Sequence, residues 1–147
     1  MTAVELLKRD HREALGMIEK LQNTEGALTA GGAKLELFGK LKSALSLHTS
    51  MEEQIFYHAL ANLEETRELI QESYQEHRQV DELLVKMSAP SDEWESQLDD
   101  LQGKIEHHVE EEEGELFPKA ERLLGEARLE EMGRQMEQIK RGKSALA

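Results

Sequence analysis

Apolar residues recur every three or four positions along most of this chain, the period of an α-helix with one buried face. Val4, Leu7, His11, Ala14, Leu15, Ile18 and Leu21 share such a face, which predicts a first helix from about Val4 to Leu21. Gly26, Gly31 and Gly32 then mark a loop. A second helix is expected from about Leu35 to Leu63, turning Leu41, Leu45, His48, Glu52, Ile55 and Ala59 inward. A third, from about Thr66 to Met87, aligns Ile70, Tyr74, His77, Val80 and Leu84. The stretch from Ser88 to Asp92 contains Pro90 and reads as a loop, with Ser91 or Asp92 capping the next helix. That fourth helix, from about Glu93 to Leu124, places Leu98, Leu101, Ile105, His108 and Glu112 on one stripe and is expected to kink at Pro118. A shorter amphipathic helix from about Leu129 to Ile139 should pack outside the rest. Four long helices with short connections predict an all-α fold: an antiparallel up-down four-helix bundle with a short additional C-terminal helix.

Composition narrows the class. A chain of 147 residues suits one domain spanning 1–147 with a real core. It has only two prolines, and no cysteine, so disulfides, iron–sulfur clusters and thiolate zinc sites are excluded. Any metal must be held by imidazole and carboxylate. The net charge of -13 argues against nucleic acid as a partner, and the basic tail Lys140-Arg141-Gly142-Lys143 is too short to change that. No segment is apolar enough to cross a bilayer and the N-terminal residues do not read as a signal sequence, so the expectation is a cytoplasmic protein with no membrane partner.

The chain also repeats itself. His48-Thr-Ser-Met-Glu52-Glu53 returns as His108-Val-Glu-Glu-Glu112-Glu113, closed in one copy by Phe56-Tyr57 and in the other by Leu116-Phe117. Asp10-His11-Arg12-Glu13-Ala14 likewise corresponds to Glu76-His77-Arg78-Gln79-Val80. The result is a two-fold pseudo-repeat with a histidine on each of four helices. Positions i and i+4 of a helix lie roughly 40° apart and one turn along, so each His and its Glu project side by side.

A single histidine on an apolar helix face is more often a satisfied core residue than a ligand. Four of them near the middles of four helices are different, because antiparallel helix middles meet at one level and buried polar groups need partners. Glu52 and Glu112 sharpen the point. A solvated face accounts for Glu110 and Glu113, but not for carboxylates on the His48–Ile55 and His108 stripes. Four imidazoles and two carboxylates make a nitrogen and oxygen donor set suited to iron, manganese or zinc. The Glu-x-x-His of ferritin-type sites is absent: the residues three before the histidines are Lys8, Leu45, Tyr74, Ile105, Ile55 and Lys104. No His-Glu-x-x-His protease motif occurs either.

With His11, His48-x-x-x-Glu52, His77 and His108-x-x-x-Glu112 in place, the chain resembles the hemerythrin-like proteins, the HHE cation-binding family, over about residues 3 to 140. The resemblance implies a cofactor of two non-heme iron ions in an oxo- or hydroxo-bridged di-iron centre, held by those six residues and bridged by Glu52 and Glu112. It implies a small ligand as partner, dioxygen, nitric oxide or peroxide, and leaves the redox partner unnamed. Oxygen-carrying members have a further histidine one turn from another on the third helix, where this chain has Ser73 or Asp81. Asp81 either replaces that imidazole with a carboxylate or hydrogen-bonds a ligand. Bacterial iron–sulfur repair proteins share the four-histidine, two-glutamate set but carry a cysteine-bearing region, and this chain has no cysteine.

Several residues hold secondary expectations. Tyr74, one turn before His77, is either a core tyrosine or a hydrogen-bond donor to a bound ligand. Ile105 and its repeat mate Leu45 are expected to wall the small-ligand pocket. His107 competes with His108 because Glu111 is four residues on, but the apolar stripe selects His108; His58 is expected at the surface or just outside the ligands. Two functions follow from the resemblance: a protein that binds, stores or senses dioxygen, or a di-iron enzyme or stress protein acting on peroxide or nitric oxide or serving iron–sulfur repair.

Overall fold

The computed structural model describes residues 1–26, 28 and 32–146, with side chains to residue 142. Gly31 of the expected loop and the side chain of Lys143 lie outside the described residues. Within them the chain is all helical, with no strand. The elements are α1 (Ala3–Asn23), α2 (Ala33–Met51), a π-helical turn π1 (Glu52–Phe56), α3 (Tyr57–Leu60), α4 (Arg67–Met87), α5 (Trp94–Glu111), a second π-helical turn π2 (Glu112–Leu116), α6 (Phe117–Leu124) and α7 (Glu126–Leu146).

The helix ends follow local chemistry. Thr2 opens α1 with a capping box: its hydroxyl accepts from the Glu5 N–H at 3.2 Å, and the Glu5 carboxylate accepts from the Thr2 N–H at 3.2 Å. The cap of α5 is Glu93, one residue later than expected, with the Ser91 hydroxyl accepting the Glu93 N–H just upstream at 3.2 Å. Only Gly125, at φ 81, separates α6 from α7, and that left-handed backbone suits glycine.

Two expectations change. The last helix is not short: α7 has 21 residues, as many as α1. It buries Leu129, Met132 and Met136 and packs on α1 and α6. The second change is the pair of π turns. The Tyr57 N–H bonds back to the Glu52 carbonyl and the Phe117 N–H to the Glu112 carbonyl, each a five-residue step that inserts one extra residue. The inward face moves by one position in consequence. Phe56, Tyr57 and Leu60 are fully buried, whereas Ile55 and Ala59, expected inside, are only partly so. Pro118 falls in the first turn of α6, directly after π2, where its missing N–H is tolerated.

Side chains link the helices at matched levels. Gln22 near the end of α1 donates to Asp99 and Gln102 early in α5, while His11 reaches Glu112 and Glu113 beyond the end of α5. The Trp94 indole donates to the Met87 carbonyl at 2.9 Å, closing the α4–α5 connection. The core falls into two apolar clusters. One gathers Leu6, Leu7, Phe56, Tyr57, Ile70, Phe117, Met132 and Met136. The other gathers Ile18, Leu21, Phe38, Leu41, Leu84, Trp94, Leu98 and Leu101. Between them lies a layer of buried histidine and glutamate.

Candidate metal centre

His11 projects from α1, His48 from the last turn of α2, His77 from the middle of α4 and His108 from the last turn of α5. Glu52 and Glu112 are the first residues of π1 and π2. All six are buried, Glu52 at 0% and Glu112 at 1% exposure. They converge into two overlapping groups, His11, His48, Glu52 and Glu112 on one side and Glu52, His77 and His108 on the other. All six residues singled out from the sequence as ligands therefore meet in one layer.

The imidazoles face the same way. His11 Nε2 lies 3.0 Å from Glu112 Oε1, His48 Nε2 3.2 Å from Glu52 Oε1, His77 Nε2 3.1 Å from Glu52 Oε1 and His108 Nε2 3.1 Å from Glu112 Oε1. Their other nitrogens point outward to carboxylates: His11 Nδ1 to Glu113 at 2.7 Å, His48 Nδ1 to Asp10 at 3.0 Å, His77 Nδ1 to Glu53 at 2.7 Å and His108 Nδ1 to Glu76 at 2.6 Å. A neutral imidazole that donates through Nδ1 keeps a lone pair on Nε2. Four such lone pairs aimed at carboxylate oxygens repel unless protons or cations sit between them.

Protons resolve the conflict in the bare protein. Burial opposes charge on His48, but the adjacent carboxylates, Glu52 first, outweigh it and raise the imidazole to about 10. His108 is likewise held well above its usual value against burial, chiefly by Glu112, and His77 is raised by Glu52. Burial would push Glu52 up, yet the charge of His48 and hydrogen bonds from the cluster hold it well below the ordinary carboxylate range. The satisfaction is incomplete: among the described residues His48 Nε2 and Glu52 Oε2 are buried with no aligned hydrogen-bond partner. Two bonds of about 2.1 Å at right angles put their donor atoms roughly 3.0 Å apart, the separation seen here. The donor set, its spacing and the orphaned atoms all fit metal ions, and the carboxylate on each Nδ1 is the partner that fixes a metal-binding histidine.

Those outward carboxylates carry a lesson about the repeat. Glu113, assigned from sequence to a solvated face, in fact accepts from His11. Asp10 and Glu76 each hold the His–Glu histidine of their own half, whereas Glu53 and Glu113 each hold the single histidine of the other half. The acid before His11 and His77, and the second Glu of each Glu-Glu pair, were the signal.

The tyrosine at the layer is Tyr57, which the sequence did not single out. Tyr74 is only partly buried and sits edge-on to Tyr57, ring centres 5.5 Å apart. Tyr57, fully buried, donates its hydroxyl to Glu112 Oε2 at 2.5 Å, with His77 Nε2 at 3.3 Å and His108 Nε2 at 3.4 Å. Burial, followed by the charges of Glu52 and Glu112, raises this phenol well above its usual value and keeps it protonated. A helix continued in α geometry from Glu52 would not aim residue 57 at the centre; the π turn does.

Beside the histidines lies a cavity of about 220 Å³ lined by Ala14, Ala44, Leu45, Val80, Ile105 and Val109, with Asp10, Glu13 and Lys140 also bordering it. Leu45 and Ile105 thus occupy its wall as expected; Tyr74 does not line it. His58 is exposed, as expected, and so is Asp81, which lies outside both ligand groups. No helix among the described residues is long and apolar enough to cross a membrane.

Helices that bury four imidazoles and two carboxylates in one layer define a metal-binding helical domain. The chain belongs to the hemerythrin HHE cation-binding domain family, whose family model matches residues 2–120. It is also similar to a solved structure, the Hemerythrin HHE cation binding domain-containing protein that is the Rv2633c homolog from Mycobacterium kansasii. That similarity has a TM-score of 0.82 at 26% identity and covers 99% of this chain and 89% of the other. Comparison with curated proteins gives no match.

Proposed function

We propose that the chain is a non-heme di-iron protein that binds a small ligand such as dioxygen beside the His/Glu layer. One observation carries the reading: four buried histidines turn Nε2 toward Glu52 and Glu112 while every Nδ1 is held by a carboxylate. His11 and His48 would hold one iron, His77 and His108 the other, with Glu52 and Glu112 between them. When bound, the pair supplies one-electron redox change and open coordination positions for a small ligand.

The chain's own residues do the rest. Asp10, Glu53, Glu76 and Glu113 fix the imidazole tautomers, so that metal binding needs no rearrangement of rings. Leu45, Ile105 and Val80 present an apolar wall that limits water at the ligand's side. The cross-links between α1, α4 and α5 fit the antiparallel up-down bundle expected from sequence, with α7 as an added fifth long helix.

The test is metal analysis of aerobically purified protein, with its absorption spectrum before and after reduction and re-exposure to air. About two irons per chain, as in other di-iron bundles, and absorption that bleaches and returns would support the reading. Stoichiometric zinc, or no iron after ferrous loading, would overturn it.

A second reading, turnover of peroxide or nitric oxide, is favoured by the Tyr57 hydroxyl. It is a protonated donor on Glu112, next to His77 and His108, and can supply a proton to the layer through that carboxylate.

A further inference from the structure

A second His-x-x-x-Glu pair overlaps the inner one by a single residue: His107 and Glu111 precede His108 and Glu112. One residue along a helix is about 100° of rotation, so this pair faces away from the buried layer. His107 Nε2 lies 3.0 Å from Glu111 Oε1 and 3.5 Å from Glu76 Oε2 of α4. One donor atom from each of the three residues falls within 4.8 Å of the others. They line a surface groove with Glu72, Gln75 and Asp100.

Four carboxylates border the groove, Glu72, Glu76, Asp100 and Glu111, against one lysine, Lys104. Among the described residues neither Glu76 nor Glu111 pairs with a lysine or arginine, and Lys104, which borders the groove, is bonded to Asp100 at 3.0 Å. One imidazole and two carboxylates are hard and borderline donors of the kind that select divalent first-row metals. Glu76 is also shared: its Oε1 accepts from His108 Nδ1 at 2.6 Å, leaving Oε2 for the groove.

We propose that Glu76, His107 and Glu111 form a second, surface-facing site for a divalent transition-metal cation, joined to the buried centre through the Glu76 carboxylate. The surface site stands on its own geometry; the link to a buried metal rests on the di-iron reading. A cation on Oε2 draws charge from the carboxylate that His108 Nδ1–H donates to, and so makes His108 a weaker ligand. Open to solvent through the groove, the outer site is reached directly by free metal.

Calorimetric titration of metal-free protein with Zn²⁺, used as the probe cation, tests this in four proteins: wild type, His107→Ala, Glu111→Gln and His48→Ala. Wild type should show a tight class of sites and a weaker class of one further equivalent. His107→Ala and Glu111→Gln should each weaken that second class at least about tenfold, a scale on which even outer partners of a metal act, and leave the tight class in place. His48→Ala should do the reverse. A wild type without the weaker class, or one unmoved by both outer substitutions, would overturn the proposal. Loss of the weak class with a tight class untouched by His48→Ala would instead overturn the buried reading alone. Because His107 is exposed and Glu111 half-buried, far-ultraviolet circular dichroism should show both outer variants folded.

Discussion

Tyr57 and Phe117 occupy equivalent places in the two halves of the repeat, yet only Tyr57 brings a hydroxyl to the centre. Tyr57 stacks on His77, ring centres 5.3 Å apart, and Phe117 on His11 at 5.8 Å. The backbones leading to them match, each following a π turn that starts at a buried glutamate. The pseudo-symmetry is therefore broken at one atom, the phenol oxygen 2.5 Å from Glu112 Oε2.

Tyr57→Phe should make the two halves alike without emptying the centre. Glu112 loses a buried donor, which costs about 1–3 kcal/mol of stability in thermal or denaturant unfolding. Metal content should stay at the wild-type level. If the phenol supplies a proton during turnover, peroxide consumption by the iron-loaded variant should fall by roughly 10²-fold or more while azide or nitric oxide binding persists. Equal loss of binding and turnover would refute a proton-delivery role.

The outward carboxylates should act through the histidines they hold. Glu53→Gln and Glu113→Gln keep side-chain size but remove the charge behind His77 and His11. Each should lower metal affinity about 10–100-fold, measured by competition with a chelator, with little change in helical content. Glu110→Gln, on the exposed face beside them, should do nothing. An unchanged affinity in both inner variants would show that the carboxylates merely solvate the surface.

Most of this site could be read from the sequence because its candidate ligands obey helical spacing. His48 with Glu52 and His108 with Glu112 are i and i+4 pairs, and the apolar stripe selected His108 over His107. What the 3.6-residue period could not show was the π turn that starts at each buried glutamate. A helix wheel drawn through Ile55 and Ala59 points past the core, whereas one added residue turns Phe56, Tyr57 and Leu60 inward. The adjacent pairs Phe56-Tyr57 and Leu116-Phe117, placed identically in both repeats, were the visible trace of that insertion. Tyr57 was passed over for the same reason: Tyr74 satisfies the regular period, and Tyr57 does not. Glu113 was hidden by the acidic run around it, since composition does not reveal which member of four acids meets a histidine from another helix. The length of α7 was obscured by its polar exposed face: among its described side chains the buried apolar ones are Leu129, Met132 and Met136.

Acid–base behaviour should differ in sign between metal-free and loaded protein. In the metal-free state His48 is raised from its ordinary 6.5 to about 10. A folded-state value above the unfolded one contributes stability that is complete below pH 6.5 and lost as pH rises toward 10. Unfolding temperature of the metal-free protein should therefore fall across that window. Metal needs the same imidazoles deprotonated, so affinity and metal-conferred stability should rise over its lower part. Thermal melts at several pH values, with and without loaded metal, check this; parallel curves would mean that protons and metal do not share the Nε2 positions.

The last helix reaches the centre through Lys140, which pairs with Asp10, the residue that holds His48. Burial pushes the Asp10 carboxyl up, but the His48 and Lys140 hydrogen bonds outweigh it and keep it below its usual range. What seats α7 is Gly133. A Cβ there would meet the Met1 carbonyl oxygen, with the Thr2 carbonyl carbon at 3.0 Å and the Ala3 nitrogen at 3.2 Å. These are backbone atoms at the start of α1 and cannot swing aside as a side chain would. Gly133→Ala should therefore force the two helices apart and cost about 1–3 kcal/mol, read from denaturant unfolding. Lys140→Ala separates the two effects, because it removes the Asp10 partner and leaves the helix seat intact. It should lower stability by less than Gly133→Ala and yet weaken metal binding at the His11–His48 side, since Asp10 loses one of its two partners. If Gly133→Ala unfolds no more easily than wild type, the close approach of α7 to the N-terminal residues is wrong, and with it the route by which Lys140 reaches Asp10.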